Sequence, residues 1–337
     1  MIIDCHGHYT TSPKGLADYR KAQLDAFQAS PSAGHEIGPV EVSDDEIRLS
    51  LEENQLRLQR ERGLDFTIFS PGASQMGHHL GNEATSVQWS VQCNNLIRRA
   101  CELYPKNFAP VCQLPQSPGA SIHSSVLELR RCVEEMGFIG CNFNPDPSGG
   151  YWNGPTLDDK AYWPLYEALC ELNVPAMIHV SAACNPSFHS TGSHYLNGDT
   201  TAFMQALTSG IFRDFPNMKW VIPHGGGAVP YHWGRFKGMS EANSWQPLTE
   251  LMENVYFDTC VYHQAGIDLL LRVVPTKNVL FASEMLGAVK GADPDTGAFY
   301  DDTRRYIENA EISDESRTMI FEGNVRKVYP RLQQWLP

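Results

Sequence analysis

The chain has 337 residues, 42% apolar and 19% charged, with 27 Gly and 22 Pro, proportions that belong to a folded protein rather than a disordered one. Its 39 acidic residues against 26 basic ones give a formal charge of −13. That field repels polyanions, so no nucleic-acid partner is expected, and an anionic small molecule would need a local cluster of Arg or Lys at its pocket.

In chain order, short apolar or β-branched runs recur from end to end, most followed by a helix-like stretch, which is the pattern of repeated βα units. The first, Ile2-Ile3-Asp4-Cys5, leads through a long connection over about 10–42 to a predicted helix over about 44–62, where Ser43-Asp44-Asp45-Glu46 offers an N-cap. Then come Phe66-Thr67-Ile68-Phe69 with a helix over 84–103, Ala109-Pro110-Val111-Cys112 with one over 121–136, and Ile139-Gly140-Cys141-Asn142 with one over 160–172. The fifth run, Ala176-Met177-Ile178-His179, precedes a long connection over 181–200 and a helix over 200–214. Trp220-Val221-Ile222-Pro223 is the sixth, Val255-Tyr256-Phe257-Asp258 with a helix over 264–273 the seventh, and Val279-Leu280-Phe281-Ala282 with one over 302–310 the eighth. The segment Glu311–Pro337 reads as closing helices with a stop at Pro330.

Eight such runs with crossover-length spacings, and no Gly-x-Gly-x-x-Gly after the first, predict one closed (β/α)8 barrel of TIM type over residues 1–337, with the active site at the C-terminal ends of the strands. The two long connections are expected to cross its mouth. The start of the chain has neither a cationic nor an apolar leader pattern, and no apolar run is long enough to span a bilayer, so a cytoplasmic protein without a membrane partner is expected. Nine cysteines, scattered and without a C-x-x-C pair, read as reduced core residues.

In a barrel of this kind the reactive side chains sit at the strand ends. Strand one ends in His6-Gly7-His8, and residues two apart in extended chain point to one side, so both imidazoles can meet one ion. His179, His224 and Glu284 stand at the ends of strands five, six and eight. Three or four imidazoles with one carboxylate suit Zn2+, and Mn2+ or Fe2+ fit the same nitrogen and oxygen donors. His224-Gly225-Gly226-Gly227 is shaped like an esterase oxyanion loop, but the chain has no Gly-x-Ser-x-Gly elbow.

His6-Gly7-His8, His179, His224 with its three glycines, and the acid in Phe281-Ala282-Ser283-Glu284 resemble the amidohydrolase superfamily, in particular the branch of aminocarboxymuconate-semialdehyde decarboxylase and related decarboxylases. That branch usually carries Asp where this chain has Glu284. The tracts Met1–Tyr9, Asn144–Gly150, His194–Asn197, His224–Phe236, Asp258–His263 and Ser283–Met285 are similar to the 4-oxalomesaconate hydratase family of protocatechuate 4,5-cleavage, where Glu is the family's own choice. The resemblance implies a zinc-dependent hydro-lyase interconverting 4-oxalomesaconate, or its keto tautomer 2-keto-4-carboxy-3-hexenedioate, with 4-carboxy-4-hydroxy-2-oxoadipate. A metal-dependent decarboxylase or hydrolase of the same superfamily, acting on an aromatic or unsaturated carboxylic acid, is the second reading, and a metal-binding protein without catalysis the third.

Binuclear members of the superfamily carry a modified Lys at strand four, but here that strand ends Cys141-Asn142-Phe143-Asn144. The site is therefore expected to be mononuclear, with His6, His8, His179 and Glu284 as ligands and one open position. Glu284 and the metal would activate water while His224 handles a proton, and these two residues' roles are interchangeable on sequence grounds. A tricarboxylate calls for cations, and Arg235, Lys237, Lys290, Arg304 and Arg305 follow the relevant strands. Ser70, His78, Asn144 and Tyr195 are further candidates to contact the substrate. A homodimer is expected because barrel enzymes commonly associate.

Overall fold

A computed structural model of the chain describes residues 1–31 and 37–336. Each of the eight apolar runs contains strand: β1 (Ile3–Tyr9), β2 (Phe66–Pro71), β3 (Phe108–Pro110) with β4 (Cys112–Gln113), β5 (Cys141–Phe143), β6 (Ala176–Ile178), β7 (Trp220–Ile222), β8 (Val255–Asp258) and β9 (Val279–Leu280). All ladders between them are parallel, in the orders β1-β2-β3 and β4-β5-β6-β7-β8-β9. The third run is divided at Val111, whose N–H donates to Phe69 while the next N–H, of Cys112, donates to Gly140. Beyond the named ladders, Cys5 N–H donates to the Phe281 carbonyl at 2.9 Å and Glu284 N–H to that of His6 at 3.1 Å.

The connections hold α1 (Lys14–Ala29), α2 (Asp44–Glu53), α3 (Gln55–Glu61), α4 (Glu83–Leu103), α5 (His123–Arg130), α6 (Trp163–Leu172), α7 (Tyr195–Ser209), α8 (Ile211–Asp214), α9 (Trp233–Asn243), α10 (Leu248–Leu251) and α11 (Gln264–Val273). They are followed by α12 (Arg304–Asn309), α13 (Asp314–Thr318) and α14 (Asn324–Val328). Ser43 caps α2 through a reciprocal capping box with Glu46, as its sequence suggests. The stretch read as one helix over 44–62 is two, broken at Asn54 (φ −125°, ψ −94°).

The connection over 10–42 is not all excursion, because α1 occupies much of it; residues 32–36 lie outside the described residues. Its buried stripe is Leu16, Tyr19 and Gln23, and a polar residue at the third position hides the helical period. Likewise α9 buries only Phe236 and Ser240, too faint a stripe to announce a helix.

Two apolar layers flank the strands. On one side, Ile3 and Cys5 of β1, Ile68 of β2, Met177 of β6, Val221 of β7 and Leu280 of β9 meet in one cluster with Val328, Tyr329 and Leu332 from beyond the last strand. On the other side, the alternate strand residues, such as Phe69, Phe143, Ile178, Ile222 and Phe257, pack against the helices. Full burial of such side chains contributes roughly 1.5–3 kcal/mol each.

Candidate metal centre

β1 carries the first two site residues by an irregularity of register. Asp4 pairs with Thr67 and Gly7 with Phe69, so β1 places one more residue than β2 over the same interval, a β-bulge. Cys5 can therefore join the cluster of Ile3 and Ile68 while His6 and His8 still turn toward the centre. Gly7 is required there, since a Cβ on it would lie 2.3 Å from Thr67 Cγ2 and 3.0 Å from the Ile68 carbonyl oxygen. At β6 ordinary alternation suffices, since His179 follows Met177 by two residues, whereas Glu284 lies beyond β9 and turns with φ +48°.

The side chains converge. His6, His8, His179 and Glu284 each present one ligand-type atom, and those atoms all lie within 4.8 Å of one another. All four residues are at least 98% buried. The His6 ring centroid is 4.8 Å from His8, 5.1 Å from His179 and 5.5 Å from His224.

The hydrogen bonds behind these rings fix their tautomers. His6 Nδ1–H donates to Asp258 Oδ2 at 2.8 Å, His8 Nδ1–H to the Pro71 carbonyl at 3.0 Å and Ser70 Oγ at 2.8 Å, and His179 Nδ1–H to the Val180 carbonyl at 2.7 Å. In a neutral ring so bonded, Nε2 is the free lone pair. His6 Nε2 and His8 Nε2 face each other at 2.9 Å, close enough for both to meet one cation or to share one proton. His179 Nε2 is buried with no hydrogen-bond partner among the described residues. Burial first, and the neighbouring imidazoles second, push the pKa values of His8 and His179 well below the ordinary histidine value, which keeps them neutral as ligands must be. This donor set fits one divalent cation.

His224 stands beside the group rather than in it. Its Nδ1 pairs with Asp199 Oδ2 at 2.9 Å and its Nε2 lies 3.8 Å from Glu284 Oε2. Burial opposes its charged form, but Asp199, Glu284 and Asp258 outweigh that and raise its pKa to about 9. Burial likewise raises Asp199 to about 6, against the pull of His224. The residue has φ +51°, and Gly225, Gly226 and Gly227 after it are also left-handed. At Gly226 a Cβ would meet the Phe257 ring at 2.7–3.0 Å, which is why glycine must follow this histidine so closely.

The remaining expected site residues are placed as follows. Tyr195 packs its ring 5.1 Å from His179 and 5.5 Å from His224. Ser70 bonds His8 and also receives Asn142 Nδ2 at 3.1 Å. Asn144 is buried at the end of β5, with Nδ2 unpartnered among the described residues. His78 is buried against Ser86 of α4 (Nδ1 to Oγ 2.7 Å), also with an unpartnered Nε2. Arg235 and Lys290 are exposed, whereas Arg304 is held by Glu308 and by carbonyls of Arg62 and Gly63.

Sequence reasoning gave no role to Asp258, Asp199 or Tyr262. Asp258 accepts from His6 and, through Oδ1, from Gly225 N–H and Cys260 N–H at 3.0 Å each. A carboxylate at the end of strand seven was the available signal. For Asp199 it was the spacing of four from Tyr195 on one helix face.

The pattern of the amidohydrolase family matches residues 3–331. The chain belongs to the amidohydrolase family. This amidohydrolase is 57% identical over 334 residues to the 2-keto-4-carboxy-3-hexenedioate hydratase of a Sphingobium species, covering 98% of this chain and 97% of the relative. The crystal structure of 4-oxalomesaconate hydratase from Rhodopseudomonas palustris superposes with a TM-score of 0.91 at 51% identity, over 99% of this chain and 97% of the other. Gamma-resorcylate decarboxylase of a Polaromonas species is 25% identical over 305 residues, covering 83% of this chain and 88% of that one. Among the described residues, no helix of this amidohydrolase is long and apolar enough to cross a membrane.

Proposed function

We propose that this amidohydrolase is a metal-dependent hydro-lyase interconverting 4-oxalomesaconate, or its keto tautomer 2-keto-4-carboxy-3-hexenedioate, with 4-carboxy-4-hydroxy-2-oxoadipate. The convergence of three imidazole lone pairs with Glu284, and His224 beside them, carries this reading, and the hydratase relatives at 57% and 51% identity supply the substrate. His6, His8, His179 and Glu284 hold the ion, for which Zn2+ is the first choice and Mn2+ or Fe2+ are alternatives. When bound, a divalent cation supplies Lewis acidity, polarising an oxygen of water or substrate.

This chain's own residues do the rest. Hydration places a hydroxyl on one alkene carbon and a proton on its neighbour. Glu284 takes the proton that water loses, while His224, fixed by Asp199, which favours its charged form, brings the proton for the adjacent carbon. Asn144 Nδ2 and His78 Nε2, buried and unpartnered, supply donors for substrate carboxylates, with the Tyr195 ring as a wall. Arg235 and Lys290, which have no ion pair among the described residues, offset the net negative charge as the tricarboxylate approaches. Ser70 acts through His8.

Residues 1–337 form one domain in this reading. The hydrogen bonds from Cys5 to Phe281 and from Glu284 to His6 support strands that close into an eight-stranded barrel. A cytoplasmic homodimer completes the proposal.

The test is turnover of 4-carboxy-4-hydroxy-2-oxoadipate by the metal-loaded protein, followed by the ultraviolet absorbance that a conjugated dehydration product gains. Growth of absorbance, lowered at least about 1,000-fold in Glu284→Gln, is expected for loss of a group acting in the transition state. A metal-loaded protein that gains no absorbance but releases carbon dioxide from a carboxylated aromatic would move the function to decarboxylation.

A further inference from the structure

Glu284 is a long side chain in a buried place. It has three rotatable χ angles, one more than aspartate, and freezing such a chain costs up to about 2 kcal/mol. Something must hold it. Among the described residues, Tyr262 is the one side chain within hydrogen-bond distance of its carboxylate: the Tyr262 hydroxyl donates to Glu284 Oε2. His224 Nε2 approaches the same oxygen only to 3.8 Å.

Tyr262 is itself held in an uncommon conformation. It lies in the loop after β8 with φ +64°, and Glu284 has φ +48°. L-residues enter that region at a cost of about 1–3 kcal/mol each, and such strain persists where surrounding contacts over-determine it. Here those contacts are visible. The Tyr262 carbonyl accepts from the Tyr306 hydroxyl at 2.9 Å. Tyr306 in turn receives Arg305 Nη2 at 2.6 Å, with the guanidinium 4.4 Å above its ring. A continuous path therefore runs from Arg305 and Tyr306 on α12, through the strained Tyr262 backbone, to the phenol and the carboxylate.

We propose that Tyr262 is the positioning residue of Glu284, latched from α12 by Tyr306, and that its phenol fixes Oε2 so that the carboxylate's remaining lone pairs face the metal position and the reacting water. A phenol is protonated at neutral pH, so the bond runs in one direction and does not compete with His224 for a proton. The effect on ligand placement stands on geometry alone, while its effect on turnover rests on the hydratase reading. Groups that orient a metal ligand typically change metal affinity or activity by about 10–100-fold when removed.

The experiment compares the parent protein with Tyr262→Phe and Tyr306→Phe, by competition for Zn2+ with a chromophoric chelator and by steady-state dehydration of 4-carboxy-4-hydroxy-2-oxoadipate. In Tyr262→Phe, zinc affinity is expected to fall about 10-fold or more and kcat about 10–100-fold, with KM within about 3-fold of the parent. Tyr306→Phe, which keeps the phenol but frees the Tyr262 carbonyl, is expected to show the same split at about 3–10-fold. An equal rise in KM without a fall in kcat or zinc affinity would overturn the proposal, as would parent values in Tyr262→Phe. Should Tyr262→Phe lose its cooperative melt, Tyr306→Phe decides by the same criteria. If the parent binds zinc but turns over nothing, the hydratase reading falls, and the zinc competition alone still tests the positioning.

Discussion

Asp199 and Asp258 show how much of this site depends on side chains that need never touch substrate. Asp258 commits both oxygens, one to His6 and the other to the turn that carries His224. Asp199 accepts from His224 Nδ1 and favours the charged ring, whose Nε2 faces Glu284. Asp199→Asn keeps the shape but removes the charge that holds the imidazolium. We expect kcat to fall by at least about 100-fold with zinc content unchanged, measured by steady-state kinetics and metal analysis. His78 makes a different statement, about stability. Burial, with Arg20 and His79 nearby, pushes its pKa down from 6.5 to about 3. Below pH 6.5 the unfolded chain gains a proton there that the folded chain refuses until about pH 3, so this residue's contribution favours unfolding increasingly as pH falls through that window. Its share approaches about 1.4 kcal/mol per pH unit. Denaturant titrations of His78→Gln at pH 6, 5 and 4 should lose stability less steeply than the parent; parallel slopes would remove His78 from the account.

At the scale of elements, the β1 bulge decides whether two histidines can share one ion. Gly7→Ala would force a methyl group into Thr67 and the Ile68 carbonyl. The cost expected is about 1–3 kcal/mol of stability, together with displaced rings, so the variant should melt lower and retain less zinc after dialysis. Retention of full zinc content at parent melting temperature would show that β1 tolerates a regular register. The strands themselves were legible in the sequence because each is a short apolar run bounded by polar or Gly/Pro residues. The convergence of His6, His8, His179 and Glu284 was legible because all four stand just at or beyond the apolar runs of parallel strands. The bulge was not, since nothing in Asp4-Cys5-His6-Gly7 shows which partner residue each will face. α1 and α9 escaped notice for a related reason: neither buries a continuous apolar stripe.

Across the whole molecule, the hidden part of the site is the part made by distant pairing. Asp258 and His6 are 252 positions apart, and Asp4 bonds Ser283 across 279. A sequence read locally gives the candidate ligands, which sit in recognisable tracts, but not the acids behind them, which acquire meaning only from the partner the fold delivers. Metal removal should accordingly be felt globally. A cation that binds only the folded chain stabilises it by about 4 kcal/mol at 1,000 times its Kd. Chelated protein should therefore melt several degrees below the zinc-loaded form, with recovery on adding zinc. The bonds joining β1 to the segment after β9 also carry a kinetic meaning. Contacts of such long sequence separation are reached late in folding, because loop-closure entropy delays them. An ion gripped by both ends of the chain should thus leave the refolding rate nearly untouched and slow unfolding instead. The metal would act as a clasp fastened after the chain has folded, protecting the finished enzyme through the rate at which it comes apart.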